Sequence, residues 1–549
     1  MTEKGNIILT GFSFTGKSAV GREVARRLGW HFTDSDDEIV ALAGKDIPDI
    51  FAQDGEERFR ELERQVLAAI CEKESLVIAT GGGAVVDPGN RELISRRGVV
   101  ICLEATPETI HQRLIAAQET YHTVRPLLAV DDPLQHIKSL KAARQPWYDT
   151  ADWSVCTDSL TMDHVVERVI HGFRQVSAYN SDPAYFEGAS FVVTTATANY
   201  PVFIGWETLS DLGSRMLQTR LSKFANIISD EEVFLHYGAR TSESLEQARF
   251  NIESFTVPPG ETTKTIDTAV SLYDWLMERR AERGHAIVAL GGGMVGDLAG
   301  FVAATFLRGL PLVQVPTTLL AMADSSVGGK VAVNLPQAKN LIGAFYQPHL
   351  VVIDATTLST LPKRELISGW AEVIKHAIIL APDFLKFLET RIEELMNLEA
   401  EATTEAIRRS GSLKAMVVSE DEKESWRRMI LNYGHTIAHG LEAATGYERF
   451  LHGEAVAIGM MGAAMLSERL GLISKEVVEQ QSDLLLRFGL PTTCPGIDKD
   501  GVLRAMELDK KVKEKAVRWV LLQGIGETVL RDDVPLKEVV SVLEELMED

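Results

Sequence analysis

The stretch from Asn6 to Leu28 restricts what this chain can fold into more than any other. Asn6-Ile7-Ile8-Leu9-Thr10 reads as a short buried strand. It runs directly into Gly11-Phe12-Ser13-Phe14-Thr15-Gly16-Lys17-Ser18 and then a helical stretch, Ala19 to Leu28. This is GxxxxGKS in the strand–loop–helix setting it requires, so the chain opens with an α/β layer. Backbone N–H groups between Gly11 and Gly16 can cradle phosphates, Lys17 reaches the outer ones, and Ser18 offers a hydroxyl to magnesium.

Such a loop does not name the phosphoryl acceptor, and the next residues narrow it. Asp34 and Asp36 stand two apart after a strand, where side chains diverge and can serve different partners. Arg60 lies early in a helical run, and the strand Leu76 to Thr80 ends in Gly81-Gly82-Gly83. Arg125-Pro126-Leu127-Leu128 follows a polar stretch of lid-like composition, and Arg144 sits in a basic helix before Trp147-Tyr148. Taken singly, each arginine fits a solvated surface residue. Together with the glycine triplet and the phosphate loop they favour an acidic small-molecule acceptor.

A second strand–glycine–helix unit follows far along the chain. Ile287 to Leu290 is an apolar run that breaks at Gly291-Gly292-Gly293 and enters a small-residue helical pattern through Asp297. Bare backbone and a helix N-terminus suit a pyrophosphate. The GxGxxG match at Gly291, Gly293 and Gly296 fits a structural turn equally well, and no acid stands about 20 residues further on. The strand Leu312 to Val315 then ends at Pro316-Thr317-Thr318. It leads to Asp324-Ser325-Ser326-Val327-Gly328-Gly329-Lys330, a mixture of acid, hydroxyls, glycines and lysine that a core segment does not need. Ala225 to Asp230 reads as a strand ending in an acid where a nucleotide ribose could sit, and Pro259 to Thr265 as a turn opening a helix.

With 549 residues the chain has room for two to four domains. Its net charge of −22 argues against a nucleic-acid partner, so sites for anions must gather Lys and Arg locally. Four scattered cysteines without CxxC fit a reducing compartment and exclude a thiolate metal site. No apolar run approaches the roughly 18 residues of a membrane span, and no signal peptide is visible, so the expected location is the cytoplasm. Ser177 to Ser190 mixes Ser, Asn, Asp, Pro and Gly without helical period and reads as a linker. After Pro362 helical patterns dominate to about residue 492.

That helical part holds the metal candidates. His435 and His439 stand four apart on one helix face, His452 follows, and Glu372 lies earlier in Glu372-Val373-Ile374-Lys375. Spacing leaves open which histidines are ligands, and a structural histidine fits each position as well. Imidazole plus carboxylate is the ligand set to expect, one that suits zinc with an open position for substrate oxygen.

Residues 1–176 resemble shikimate kinase, through the phosphate loop, Asp34-Ser35-Asp36, Phe59-Arg60, Gly81-Gly82-Gly83 and Arg125-Pro126-Leu127-Leu128. The resemblance implies that Asp34 and Ser18 help hold magnesium with ATP. Asp36 binds the acceptor hydroxyl and takes its proton, Arg60 and Arg144 clamp the shikimate carboxylate above Gly81, Gly82 and Gly83, and Arg125 closes over the transferring phosphate. One departure is Gln118, where the family usually carries arginine.

Residues 191–549 resemble 3-dehydroquinate synthase. The motifs are GGGMVGDLAGF, VPTTLLAMADSSVGGK, Lys339-Asn340, Glu372-Val373-Ile374-Lys375, Asp421 to Glu424, LNYGHTIAH, LHGEAVAIGM and Asp509-Lys510-Lys511. This implies NAD binding by Asp230, Glu261, Lys264, Gly291, Gly292, Gly293, Asp297, Thr317, Thr318 and Lys339. It implies zinc (or cobalt) held by Glu372, His435 and His452, with His439 beside the substrate. Asp324, Lys330, Asn340, Lys375, Lys414, Arg428 and Asn432 would bind the heptulosonate phosphate, with Lys330, Lys375 and His439 catalytic. Arg308 would reach the site of a second subunit in a homodimer. Trp426, and Val331-Ala332-Val333 after Lys330, depart from the family pattern.

The expected architecture is therefore α/β: a P-loop kinase domain with a parallel sheet (1–176), a linker (177–190), a Rossmann-like NAD-binding subdomain (191–360) and a mainly helical metal-binding subdomain (361–549). The expected function is a bifunctional enzyme of the shikimate pathway. The rival is a related sugar-phosphate cyclase joined to another small-molecule kinase or to a non-catalytic nucleotide-binding module.

Overall fold

The computed structural model describes residues 5–121, 132–158, 160–195, 197–335, 338–424, 427–513 and 517–548. The chain divides into two compact units, one up to Ser181 and one from Asp182 onward.

In the first unit β1 (Asn6–Thr10), β2 (His31–Asp34), β3 (Leu76–Ala79), β4 (Gly98–Glu104) and β5 (Trp153–Cys156) form a parallel sheet ordered β2-β3-β1-β4-β5. Both faces are covered, which is why β1 is apolar without alternation. Its Ile7 and Leu9 pack with Val20, Val24, Val166 and Phe173, while Ile8 packs on the other face with Leu67 and Ile78. β1 is central and delivers the phosphate loop to the helix Lys17–Leu28.

Two details differ from expectation. Asp34 ends β2, but Asp36 already lies in the helix Ser35–Ala43, whose N-terminus Asp34 caps by accepting from the Asp36 N–H. The two acids thus part company through a capping turn and not through strand alternation. The stretch read as a linker is also helical at its start, because the helix Met162–Ser181 runs through Ser177. Val166, Val169 and Phe173 anchor that helix, and a helix once nucleated adds further turns at little cost.

The second unit is built on β6 (Phe191–Thr194), β7 (Asn199–Gly205), β8 (Phe224–Asp230), β9 (Asn251–Val257), β10 (Ala286–Gly291), β11 (Leu312–Pro316), β12 (Lys330–Leu335), β13 (Ala338–Phe345) and β14 (Leu350–Asp354). Seven of these form one sheet, β6-β7-β14-β11-β10-β8-β9, parallel except for β6. β12 and β13 pair as a separate antiparallel hairpin beginning at Lys330. From Lys363 on, helices dominate. The helices Lys363–Leu380 and His452–Arg469 are buried around most of their circumference, as expected of helices surrounded by others. They carry Glu372, Lys375 and His452 into that interior. Among the described residues no helix is long and apolar enough to cross a membrane.

Candidate active sites

In the first unit the loop Gly11–Gly16 closes on itself. Lys17 Nζ donates to the carbonyls of Gly11 and Phe12, both at 2.8 Å, and Ser18 Oγ lies 2.5 Å from Asp34 Oδ2. Gly11 has φ of 128° and its missing Cβ would clash with the Leu103 carbonyl, so the loop tolerates no side chain there. The Ser18 hydroxyl and the Asp34 carboxylate, side by side, are the oxygen pair that magnesium favours.

Beside the loop opens a pocket whose lining includes Asp36, Arg60, Glu63, Gly82, Gly83 and Arg144. It gathers every acceptor-site residue expected from the sequence that the structure describes. Arg60 donates to Glu63 and Glu56. Arg144 donates to the Gly82 carbonyl at 3.1 Å, and the Tyr148 hydroxyl donates to the same oxygen at 2.6 Å. A side chain on Gly83 would meet Arg60 Nη2 at 2.9 Å, and one on Gly81 would meet Asp36 Oδ1 at 2.9 Å. Burial raises the Glu63 carboxyl, against the pull of Arg60. Glu63 was not foreseen, although its place three residues after Arg60 on one helix was a readable signal. Arg125 lies outside the described residues, as does the side chain of Gln118.

In the second unit the glycine turn leads from β10 into the helix Gly293–Thr305, with Gly292 as its N-cap. A Cβ on Gly292 would meet Thr318 Cγ2 at 3.0 Å, and the Thr317 hydroxyl oxygen is buried without a hydrogen bond. Backbone bared at a helix N-terminus beside an unsatisfied hydroxyl fits the phosphates of a dinucleotide. Lys264, almost fully buried, contacts Glu261 at 2.8 Å, Asp297 at 3.0 Å and the Asn340 side-chain oxygen at 2.7 Å. Burial pushes the Asp297 carboxyl up to about 6 in spite of that lysine. Asp230 caps the helix Glu231–Gln247 through one oxygen, from the Val233 N–H. Lys339 Nζ lies 4.1 Å from the Tyr447 ring centre.

The metal candidates converge. Ligand atoms of Glu372, His435 and His452 all lie within 4.8 Å of one another. Both Glu372 oxygens are buried. Facing Oε1 are His435 Nε2 at 3.7 Å and His452 Nε2 at 3.6 Å, with the Lys375 ammonium against the other oxygen. Two imidazole nitrogens facing the Glu372 Oε1 atom make, with that oxygen, a donor set that fits zinc. Burial lowers His452, but Glu372 and Glu442 outweigh it and raise the imidazole to about 10, whereas burial drives His435 well below the usual imidazole range. His439 lies off this group, its ring edge-on to His435 at 5.5 Å. Asp324, Glu372 and His376 form a second grouping, but Lys414 lies 2.8 Å from Asp324 and Lys375 pairs with Glu372, so ammonium groups already neutralise it.

Around this centre lie the expected substrate groups. Lys414 is buried against Asp324 and lowered by that burial to about 8. Asp324 is held well below the usual carboxylate range; burial works against this, and Lys414 outweighs it. Lys330, half-exposed, pairs with Glu424, which also accepts from Asn432 at 2.9 Å. Arg428 donates to the Gly328 and Glu422 carbonyls. Glu424, Glu442 and His376 were not foreseen. Arg308 is exposed, in left-handed backbone (φ 67°) after Leu307 (φ 51°). Trp426 lies outside the described residues, as do the side chains of Asp509, Lys510 and Lys511.

Family models match both units. One described as 3-dehydroquinate synthase N-terminal covers residues 254–368, one described as 3-dehydroquinate synthase C-terminal covers 369–512, and one for shikimate kinase covers 14–174. The 3-dehydroquinate synthase of Nostoc punctiforme (strain ATCC 29133 / PCC 73102) is 47% identical over 349 residues, 63% of this chain and 96% of that relative. Among solved structures, 2-deoxy-scyllo-inosose synthase complexed with carbaglucose-6-phosphate, NAD+ and Co2+ is 30% identical with a TM-score of 0.59, covering 65% of this chain and 99% of its own. The 2-epi-5-epi-valiolone synthase of Streptomyces hygroscopicus subsp. jinggangensis 5008, with NAD+ and Zn2+ bound, is 26% identical with a TM-score of 0.59 over 64% of this chain and 97% of its own.

Proposed function

The chain belongs to the 3-dehydroquinate synthase family and carries a shikimate kinase domain ahead of it, and on that premise we propose how the residues of this bifunctional shikimate-pathway enzyme divide the work. The working division is 1–176 for the kinase, 177–190 for the connection, 191–360 for the NAD-binding subdomain and 361–549 for the metal-binding subdomain.

In the kinase unit ATP phosphates lie on the Gly11–Gly16 loop with Lys17, and Ser18 and Asp34 hold magnesium. Shikimate enters the pocket beside the loop. Arg60 and Arg144 grip its carboxylate, the glycine triplet lets the ring approach bare backbone, and Asp36 accepts the proton of the attacking hydroxyl. Arg125 neutralises the transferring phosphate.

In the synthase unit 3-deoxy-D-arabino-heptulosonate 7-phosphate is converted to 3-dehydroquinate and phosphate. Bound NAD supplies reversible hydride transfer, and bound zinc (or cobalt) supplies a Lewis acid. Glu372, His435 and His452 hold the metal. Asp230, Glu261, Lys264, Asp297, Thr317, Thr318, Lys339 and the turn Gly291 to Gly293 hold the dinucleotide. Lys330, Lys414, Arg428 and Asn432 receive the phosphate and carboxylate, Asp324 and Asn340 take hydroxyls, and His439 and Lys375 handle protons at the ring oxygens. The observation that carries this reading is the convergence of His435 and His452 on the buried Glu372. Its test is a direct assay of the full chain: shikimate-dependent ADP formation, and phosphate release from the heptulosonate phosphate that requires NAD and stops on chelation. Absence of the second reaction in metal-loaded protein would remove the assignment.

Arg308 acts across a homodimer in this reading, completing the partner's phosphate site; its exposure and left-handed backbone support an outward-pointing role. Arg308→Ala and Lys330→Ala chains should each be nearly inactive. Mixed in equal amounts, they should recover about a quarter of wild-type synthase activity, since half the dimers are mixed and one of their two sites is whole. No recovery in confirmed mixed dimers would place Arg308 within its own site or outside catalysis.

A further inference from the structure

The two imidazoles of the metal group are held in the same way by different partners. His435 Nδ1 lies 3.2 Å from the Tyr433 carbonyl oxygen, and His452 Nδ1 lies 3.3 Å from Glu442 Oε1. In each ring the other nitrogen, Nε2, is the one that faces Glu372. A carbonyl and a carboxylate are both acceptors, so with a metal bound each Nδ1 can keep its proton and leave Nε2, the nitrogen beside Glu372, to ligate. The backbone carbonyl behind His435 is present whatever the side chain. The carboxylate behind His452 depends on one residue. Glu442 is buried on the same helix as His435 and His439, seven positions after the first, and so on the face that looks toward His452.

From this we infer that Glu442 is a positioning residue of the synthase site: it orients His452, fixes its Nε2 as the ligating atom, and tightens zinc binding without touching metal or substrate. The inference rests on the assignment of Glu372, His435 and His452 as ligands. A carboxylate accepting from Nδ1–H makes Nε2 a better donor than a free ring, and loss of such a partner weakens metal affinity by roughly 10–100-fold.

The test is zinc affinity of the full chain, measured by competition with a chromophoric chelator. Glu442→Ala should weaken zinc binding by about 10–100-fold, and Glu442→Gln, which keeps an acceptor oxygen without the charge, should fall between it and the wild type. In a His452→Ala background Glu442→Ala should have no further effect, because its only route to the metal is gone. Thermal unfolding of the chelated proteins separates this from a packing defect: Glu442→Gln should match wild type without zinc and differ with it. If Glu442→Ala and Glu442→Gln leave affinity unchanged while His452→Ala weakens it, the role of Glu442 is overturned and the ligand set stands. Additive losses in the double variant also overturn it. If His452→Ala itself leaves zinc affinity unchanged, the ligand assignment falls, and the inference with it.

Discussion

In the kinase pocket the groups awaiting an anion are arginines on the wall of an open cleft. Arg60 shares itself between Glu63 and Glu56, and Arg144 spends a donor on a backbone carbonyl. At the synthase site the cations are mostly lysines shut inside the unit, each against its own carboxylate: Lys264 with Asp297, Lys375 with Glu372, Lys414 with Asp324. The reason is dielectric. A buried ammonium without a partner would lose its proton or unfold the site, so a deep anion-binding site must carry its own counter-ions. The kinase arginines are also held, Arg60 by Glu63 and Glu56 and the buried Arg144 by the Gly82 carbonyl, but a guanidinium has five N–H donors and can receive an anion without giving up its partner. Substitutions at the synthase site should therefore cost stability as well as activity, whereas those in the kinase pocket should show chiefly in substrate affinity.

The largest effect expected from this contrast is at Glu372. Glu372→Ala leaves Lys375 buried without its carboxylate, and the second unit should lose about 3–5 kcal/mol in urea unfolding, together with its zinc. A loss below about 1 kcal/mol would show that Lys375 finds water or another partner, and the contrast would fail where it is sharpest.

Smaller and of a different kind is the effect at Arg60. Arg60→Lys keeps the charge beside Glu63 but loses the planar fork. The KM for shikimate should rise about tenfold, with kcat and unfolding midpoint nearly unchanged. A drop in stability comparable to that of Glu372→Ala would mean the kinase pocket is as internally paired as the synthase site.

Lys414 gives the mildest test, through pH. Its pKa is lowered by burial from 10.5 to about 8, so between those values the unfolded chain binds more protons than the folded one. Its penalty on stability is complete below pH 8 and is relieved as pH rises from about 8 toward 10.5. Substrate affinity should move the opposite way, because the ammonium that receives the anion is lost above pH 8. KM and urea midpoint, compared at pH 7 and 9 in wild type and Lys414→Met, separate this group from others; both trends should shrink in the variant.

What could be read from the sequence was whatever lies in one continuous stretch. The phosphate loop is a strand, a turn and a helix in succession, so its fold and chemistry followed together. The Glu372, His435 and His452 grouping came from motif resemblance; spacing alone left His439 equally eligible, because a helix face says which histidines are neighbours and not which point at a distant carboxylate. Glu442 was invisible for the same reason, and Glu424, though part of the Asp421 to Glu424 motif, showed no role. Their partners, His452 and Lys330, come from other elements, and an acid on a helix or in a loop reads as solvated surface. The first residues of the linker stretch read as non-helical because Ser, Asn and Tyr are poor helix formers, yet the packed helix behind them carries on to Ser181.

The central claim is that one chain carries two chemically separate sites. It is tested most directly by assaying both reactions in two full-length variants, Lys17→Ala and His452→Ala. Lys17→Ala should lower shikimate phosphorylation by on the order of 10²–10³-fold and leave dehydroquinate formation within about twofold of wild type. His452→Ala should do the reverse, losing zinc and synthase activity while the kinase runs normally with magnesium. Parallel loss of both activities in either variant, with the protein folded, would contradict the account.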